Sequence, residues 1–432
     1  VNRRCGGAGG RVVRAGAAAL CAAAVLTGQA WAAGQPGPYA FAEGARQTHG
    51  ASSTSEAPQL TAGATYRDSI KSGEKLVYRV DLDADHDAYV SAVAVPRAGA
   101  KVAYADALKV SLQDRDGYDC SSNESRFGSA EFARPLAAYA HRTIEKDSSS
   151  CQKGDSYYVV VERSDKDTAG AEPWDLEIRH ELEPGVTSTG PTAAPSVWPS
   201  ASPPLPGGGP RERKGGSGFH DATGLTEGEW TDRIEPGQSR FYRVPVDWGQ
   251  QIFASADLGS STGDGFVGGA LAITLFNPMQ GVVAGTESVS YTGKQKSAAL
   301  DPLPPVRYEN RYDSSDKFED MRFAGWYYLR VSLNPEVGEE FGKKPYGLTL
   351  RVSVRGQAQQ PPAYEGPAGI FAVTADDRDQ AASGQSGPEA ERSDTMKVVA
   401  AAGIGTGTVL VAGLGVWTLL ARRRAAAPPA SW

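Results

Sequence analysis

The apolar positions of this chain recur in short runs of period two. Residues 75–82 read K-L-V-Y-R-V-D-L, with Leu76, Tyr78, Val80 and Leu82 on one face and Val77 out of step. Residues 88–95 (A-Y-V-S-A-V-A-V), 108–112 (L-K-V-S-L), 157–161 (Y-Y-V-V-V) and 174–178 (W-D-L-E-I) continue the pattern. Successive side chains of a strand point to opposite faces, so such alternation in Val, Tyr, Ile and Leu predicts β-strands. Turn residues separate the runs, K-S-G at 71–73 and D-R-D-G at 114–117. No long stripe of period 3.6 crosses this region. Several short strands joined by turns predict a β-sandwich or barrel.

The pattern then returns. Y-R-D-S-I-K-S-G at 66–73 is echoed by W-T-D-R-I-E-P-G at 230–237, and Tyr78-Arg79-Val80 by Tyr242-Arg243-Val244. Asp83 corresponds to Asp247 at the same offset, without a gap. L-K-V-S-L at 108–112 matches L-A-I-T-L at 271–275, the G-D-S-Y-Y of 154–158 matches G-W-Y-Y of 325–328, and P-W-D-L-E-I at 173–178 matches P-Y-G-L-T-L at 345–350. Blocks recurring in one order predict two copies of one module. The expected fold is all-β: two tandem β-sandwich, jelly-roll-like domains over 60–183 and 219–356, the second with a longer excursion at 281–320.

The ends carry membrane signals. Residues 1–32 read as a signal peptide, with Arg3, Arg4, Arg11 and Arg14 before an apolar run and Ala30-Trp31-Ala32 as the cleavage site. Residues 398–421 are apolar or small, long enough to span hydrocarbon as a C-terminal transmembrane helix. Arg422, Arg423 and Arg424 follow at once and orient a cytoplasmic tail, 422–432, by the positive-inside rule. That tail is too short for an enzyme or signalling domain. Gly403 and Gly407 form a G-x-x-x-G that lets two helices approach closely, a route to a homodimer. Between these ends, composition predicts a disordered arm at 33–59, a Pro/Ser/Gly linker at 184–218 with Trp198 as a stray aromatic, and a flexible stalk at 357–395. Roughly 260 residues remain for folded matter, enough for two domains.

The net charge of −7 argues against nucleic acid, whose phosphates require a basic footprint. Cys5 and Cys21 lie in the signal, where Leu20 before Cys21 spoils a lipidation motif. Cys120 and Cys151 remain, and in an oxidising compartment they predict a structural disulfide. It closes a loop of about 30 residues, worth on the order of 3–4 kcal/mol in the chain-entropy account.

Asp81, Asp83, Asp85 and Asp87 alternate in D-L-D-A-D-H-D and are the candidate ligands for calcium, which takes several oxygens. The EF-hand glycine and distal glutamate are missing, and the second copy keeps only Asp247, so a solvated acidic turn is the competing reading. No other cofactor is implied. The five histidines, His49, His86, His141, His180 and His220, sit in no G-x-S-x-G or H-E-x-x-H context. A non-enzyme is expected, with a cryptic hydrolase requiring His86, His141 or His180 to meet a serine and a carboxylate. Most aromatics read as strand packing; Trp230 and Trp248, near predicted strand ends, are the candidates for exposed contacts.

The I-x-x-G-(E/Q) openings at 70–74 and 234–238, the following Y-x-V strands, the late strands at 154–161 and 325–331 and the closing P-(W/Y)-x-L-x-(I/L) strand together resemble the bacterial pre-peptidase C-terminal domain, a small β-sandwich appended to secreted proteases. The second copy, through R-F-Y-R-V-P-V-D-W-G at 240–249, is also similar to the region beside von Willebrand A modules in actinobacterial membrane proteins. The Ala/Gly/Arg-rich composition suits a GC-rich actinobacterium. The chain carries no recognisable protease or von Willebrand A domain. The expected function is a non-catalytic, single-pass plasma-membrane protein with its ectodomain outside, binding an envelope protein as an accessory component. The alternative is an adhesin for a surface glycan or matrix.

Overall fold

The computed structural model describes residues 38–145, 148–164, 172–188 and 190–425, with backbone only at 287–288, 394, 397–410, 421 and 423–425. The signal peptide read over 1–32 lies outside the described residues.

Two sandwiches form where the alternation predicts them. The first contains β1 (Arg46–Gln47), β2 (Ala64–Ile70), β3 (Lys75–Leu82), β4 (Asp87–Val95), β5 (Ala107–Gln113), β6 (Asp119–Arg126), β7 (Leu136–Arg142), β8 (Asp155–Ser164) and β9 (Trp174–Glu183). Its sheets run β1-β2-β9-β4-β7 and β3-β8-β5-β6. The second contains β10 (Pro210–Glu212), β11 (Thr223–Gly224), β12 (Gly228–Ile234), β13 (Ser239–Val246), β14 (Gln251–Leu258), β15 (Val267–Phe276), β16 (Val282–Tyr291), β17 (Lys296–Ala299), β18 (Gly325–Leu333) and β19 (Tyr346–Arg355). Its sheets run β10-β12-β19-β14-β17 and β11-β13-β18-β15-β16. Eight strands occur in the same order in both modules, the jelly-roll order of two four-stranded sheets. The duplication read from sequence is therefore a duplication of topology.

The inward sets follow period two. Leu76, Tyr78, Val80 and Leu82 of β3 meet Ala88, Val90, Ala92 and Ala94 of β4 in the first core. Tyr242, Val244 and Val246 of β13 occupy the same place in the second. Cys120, in β6, is disulfide-bonded to Cys151 in the loop before β8, with Cα atoms 5.8 Å apart.

The repeat also reaches back into segments that composition marks as arm and linker. Gly50 N donates to Asp68 Oδ2 at 2.7 Å, and Tyr78 Oη donates to the same oxygen at 2.7 Å. In the second module Gly215 N and Tyr242 Oη both donate to Asp232 Oδ2 at 2.8 Å. A Cβ at Gly50 would lie 2.8 Å from Tyr78 Cζ, and one at Gly215 2.7 Å from Tyr242 Cζ, so only glycine admits this approach. The bridges Ala51–Val77 and Gly216–Phe241 extend the match. The disordered arm expected up to residue 59 and the linker expected up to 218 are thus corrected: each ends in an edge segment of the module that follows. Their pairings involve two or three residues, too few for periodicity to register. The expected excursion at 281–320 likewise contains β16 and β17, counterparts of β6 and β7. What is extra in the second module is the stretch from 300 to 324, with a 3-10 turn at Tyr308–Tyr312 and the short helix α1 (Asp316–Glu319). Helix α2 (Glu336–Phe341) follows β18.

The sandwiches dock face to face. The outer face of β4 and β7 presents Tyr89, Val93, Ala137 and Tyr139, all buried, and β4 is buried along almost its whole length. Val93 and Ala137 pack with Phe241, Phe276 and Tyr328 of the second module, around Phe219, whose ring lies 5.0–5.2 Å from those three. Tyr89 and Tyr139 pack with Met279, Phe323 and Phe371. Arg311, from the extra stretch, reaches across to Asp87 at 2.9 Å and Glu183 at 3.3 Å, with side chains no more than 9% exposed.

The expected flexible stalk is corrected as well. Phe371 is buried between the modules, and Tyr364 Oη donates to Glu183 at 2.6 Å. Helix α3 (Ala375–Ser383) begins with a capping box between Thr374 and Asp377 and ends at Gly384 in the left-handed region, φ 77°. Arg378 pairs with Asp247 at 2.6 Å. This strap leads directly into α4 (Gly387–Ala425), which carries the sequence read as a membrane span. Among the described residues no helix is long and apolar enough to cross a membrane. The side chains of Gly403, Gly407, Arg423 and Arg424 lie outside the described ones.

Replacing Arg311 with alanine would leave Asp87 and Glu183 buried without their cation. We expect Arg311→Ala to cost about 3–5 kcal/mol in denaturant unfolding, far more than removal of an exposed pair such as Arg97–Glu172. Equal, small losses for both would remove Arg311 from the docking account.

Candidate functional site

A cleft of about 650 Å³ opens where the two modules and the strap meet. Ligand sites favour such junctions and fall in this size range. Strand β9 contributes Glu177, Arg179 and Glu181, β13 contributes Arg243, and β18 contributes Trp326 and Tyr328. Asp377 of the strap and Glu391 of α4 close one side. Glu177 Oε2 accepts from Ala42 N at 2.8 Å and Oε1 from Tyr39 Oη at 3.3 Å. Burial raises its pKa despite these donors. Arg179 is paired with Glu181 at 2.8 Å. Trp326 Nε1 donates to Asp377 at 2.7 Å, which fixes the indole on the cleft wall.

Deeper between the modules lies a second polar cluster. Tyr139 donates to Asp320, and Arg322 donates to Glu319 at 3.0 Å. Burial pushes Asp320 up to about 7, against the opposing pull of Tyr139 and Arg322, while Glu319 and Asp316 push it further up. His141 is held well below the usual histidine range by burial and by Arg322 and Arg311. His180 is pushed down to about 4 by burial, against a hydrogen bond to the Leu60 carbonyl.

The residues singled out by sequence have mixed positions. Trp230 and Trp248 are not exposed: they are 1% and 4% accessible. Their nearness to strand ends is real, but Trp230 shares the inward parity of Ile234 and is covered by Arg211, 4.0 Å from the ring centroid. The four aspartates do not converge. Asp81 accepts from Gln59 and Ser156 at 2.8 and 2.7 Å. Asp83 accepts from the amides of Asp85 and His86 at 2.9 Å and from the His86 ring at 2.7 Å. Asp85 is exposed, and Asp87 is buried against Arg311. Among the described residues no group of three or more His, Cys, Asp or Glu side chains could hold a metal ion. His86, His141 and His180 occupy three separate settings: an exposed turn, the inter-module cluster and the buried interior strand β9, against the Leu60 carbonyl. Trp198 is not stray; it packs edge-on against Phe318 at 5.5 Å.

Sequence reasoning gave no functional role to Arg243, Glu177, Asp320 or Arg322: Arg243 and Glu177 fall in repeated blocks read only as strands, and Asp320 and Arg322 fall in no block. One signal was present. Arg79 of the first module pairs with Asp81 at 3.5 Å, and the position matching Asp81 in the second module is Pro245. Arg243 is the arginine of the repeat that lost its carboxylate.

No family model and no curated protein matches this chain. Among solved structures, that of Broad Bean Stain Virus is similar over 72% of this chain and 93% of its own, at 6% identity and a TM-score of 0.19. The tandem CBM22-1-CBM22-2 domain of Paenibacillus barcinonensis Xyn10C is similar over 65% of this chain and 82% of its own, at 11% identity and a TM-score of 0.18. Tripeptidyl peptidase 2 aligns over 76% of this chain and 28% of its own, at 8% identity and a TM-score of 0.21. Likenesses of this strength say nothing about this chain, whose fold rests on its own strand pairing.

The raised Asp320 gives a signed pH dependence. Its folded pKa, about 7, lies above the ordinary value of 3.8. Between those values the folded state holds a proton that the unfolded state has released. Stability from this group is therefore full below about pH 4, falls as pH rises to about 7 and then levels, by a few kcal/mol in total. Asp320→Asn should lose this decline, seen as urea midpoints that converge with wild type at low pH and exceed it at pH 8. Parallel profiles would place the Asp320 carboxyl in water.

Proposed function

We propose that this chain is a non-catalytic, single-pass protein of the plasma membrane that presents a fused pair of jelly-roll modules outside the cell and binds an envelope partner through the inter-module cleft. The observation that carries this reading is the route of the strap. It leaves the cleft and enters α4 after only Gly384, Gln385 and Ser386. Farther along, Val411, Leu414, Val416, Trp417, Leu419 and Leu420 are all 51–70% exposed, and Arg422 follows. A helix that turns large apolar side chains outward on this scale is suited to lipid, and its basic end to the cytoplasmic side. The jelly-roll order also accords with the resemblance to the pre-peptidase C-terminal domain, a module without chemistry of its own. The adhesin reading drew on exposed tryptophans, and burial of Trp230 and Trp248 takes that support away.

On this reading the tagged full-length protein stays with membranes through an alkaline carbonate wash, and deletion of 398–421 releases it. Crosslinking in the native envelope then recovers one stoichiometric protein partner, lost when the modules are deleted. Release of the intact chain by carbonate would contradict the anchor, and self-crosslinks alone would contradict the partner.

A further inference from the structure

Arg243 poses a problem in electrostatics. It sits on β13 at 8% exposure, and no carboxylate lies within ion-pairing distance among the described residues. Nη2 donates to Gln380 Oε1 at 2.9 Å and to the Gln385 carbonyl at 3.1 Å. Nε is buried and donates to nothing. The guanidinium lies 4.1 Å from the centre of the Trp326 ring. A buried cation held only by neutral acceptors and a ring carries an uncompensated desolvation cost. Burial accordingly pulls it below the usual arginine range, while Tyr328, Asp377, Glu389 and Glu391 oppose this from a distance.

Two of the nearby acids are otherwise engaged, and Glu391 stays on the cleft wall without pairing to the guanidinium. Asp377 caps α3 through Thr374 and accepts from Trp326. Glu389 accepts from Ser386 N at 2.9 Å and Ser386 Oγ at 3.1 Å. The repeat supplies the comparison: Arg79, the same position in the first module, has Asp81. The second module has kept the arginine, moved it into a cleft and replaced its partner by Pro245.

We propose that the cleft binds the free carboxylate of an amino acid or short peptide, with Arg243 as the anchor and the rings of Trp326 and Tyr328 as the wall beside it. A guanidinium presents donors in a fork that suits a carboxylate. A phosphate dianion suits the cleft less well, because Glu177, Glu181, Asp377 and Glu391 line the same space. Those acids instead favour a ligand whose positive or polar groups sit beyond its carboxylate. The volume accommodates more than a single amino acid. This deepens the partner-binding reading by naming what the cleft recognises. It does not depend on α4 crossing a membrane, so the carbonate wash and the binding test fail independently.

The test is calorimetric titration of the full-length protein in detergent micelles with alanine, alanyl-alanine, alanyl-alanine amide and inorganic phosphate. Saturable binding of the free-acid dipeptide is expected, weakened at least about tenfold by amidation. Arg243→Lys, which keeps the charge and loses the fork, should weaken the dipeptide by about tenfold, and Lys71→Ala on the far turn should leave it unchanged. Should Arg243→Lys loosen the strap, the acid-against-amide comparison on the unaltered protein still decides. Absence of saturable binding by alanine and dipeptide up to about 10 mM, equal binding of acid and amide, or saturation by phosphate alone would each overturn the proposal.

Discussion

The arrangement depends on one contact: the outer face of β4 and β7 laid against the β13-β18-β15 sheet of the second module. A jelly-roll sheet ordinarily shows water its outer side, yet Tyr89, Val93 and Tyr139 point outward from the first sandwich and are buried. Left in solution, that face and its counterpart of Phe241, Phe276 and Tyr328 would be exposed apolar patches of the kind that drive association. Docking removes both from water. Arg311 then sets the register, because Asp87 and Glu183 can be buried only with their cation in place. The strap follows from the same contact, since Phe371 has a pocket only while Tyr89 and Phe323 face each other.

Duplication followed by divergence explains why the contact is made once. The two modules share strand order, the Gly-Asp-Tyr latch at Asp68 and Asp232, and the Y-R-V strand. They differ where they meet other surfaces. Phe241 of the docked sheet corresponds to Val77 in the first module, a smaller residue at the same bridged position. The open face of the first module's second sheet carries Lys75, Arg79, Lys109 and Glu162. Polar outer faces of this kind end a stack of repeats, as capping units do in solenoids. The cleft is a by-product of the same asymmetry: it forms at the rim of the single docked face, where β13 places Arg243, whereas Arg79 lies on an undocked face.

The strands and the duplication were legible in the sequence because both are local or repeated signals. Leu76, Tyr78, Val80 and Leu82 alternate as they pack, and Tyr66-to-Gly73 against Trp230-to-Gly237 needs no structure to align. The disulfide was legible because only Cys120 and Cys151 remained once the residues read as a signal were set aside. The strap was not, since residues 357–390 have the composition of a linker and order only through distant partners such as Trp326, Arg243 and Glu183. Trp230 was misplaced for a related reason: which face of a strand is covered depends on neighbours far away in sequence, here Arg211 and Arg213. β4 held the missed clue to docking, because its alternation pairs small residues inside with Tyr89 and Val93 outside.

The most direct test of the docked body is a distance measured across it. Spin labels at Lys71→Cys and Lys294→Cys, exposed positions on turns of the first and second modules, would be read by pulsed electron resonance in the full-length protein. Face-to-face docking predicts one narrow distance distribution that broadens when Arg311 is replaced by alanine. A broad distribution in the unaltered protein, as for two beads joined by a Pro/Ser/Gly linker, would contradict the account.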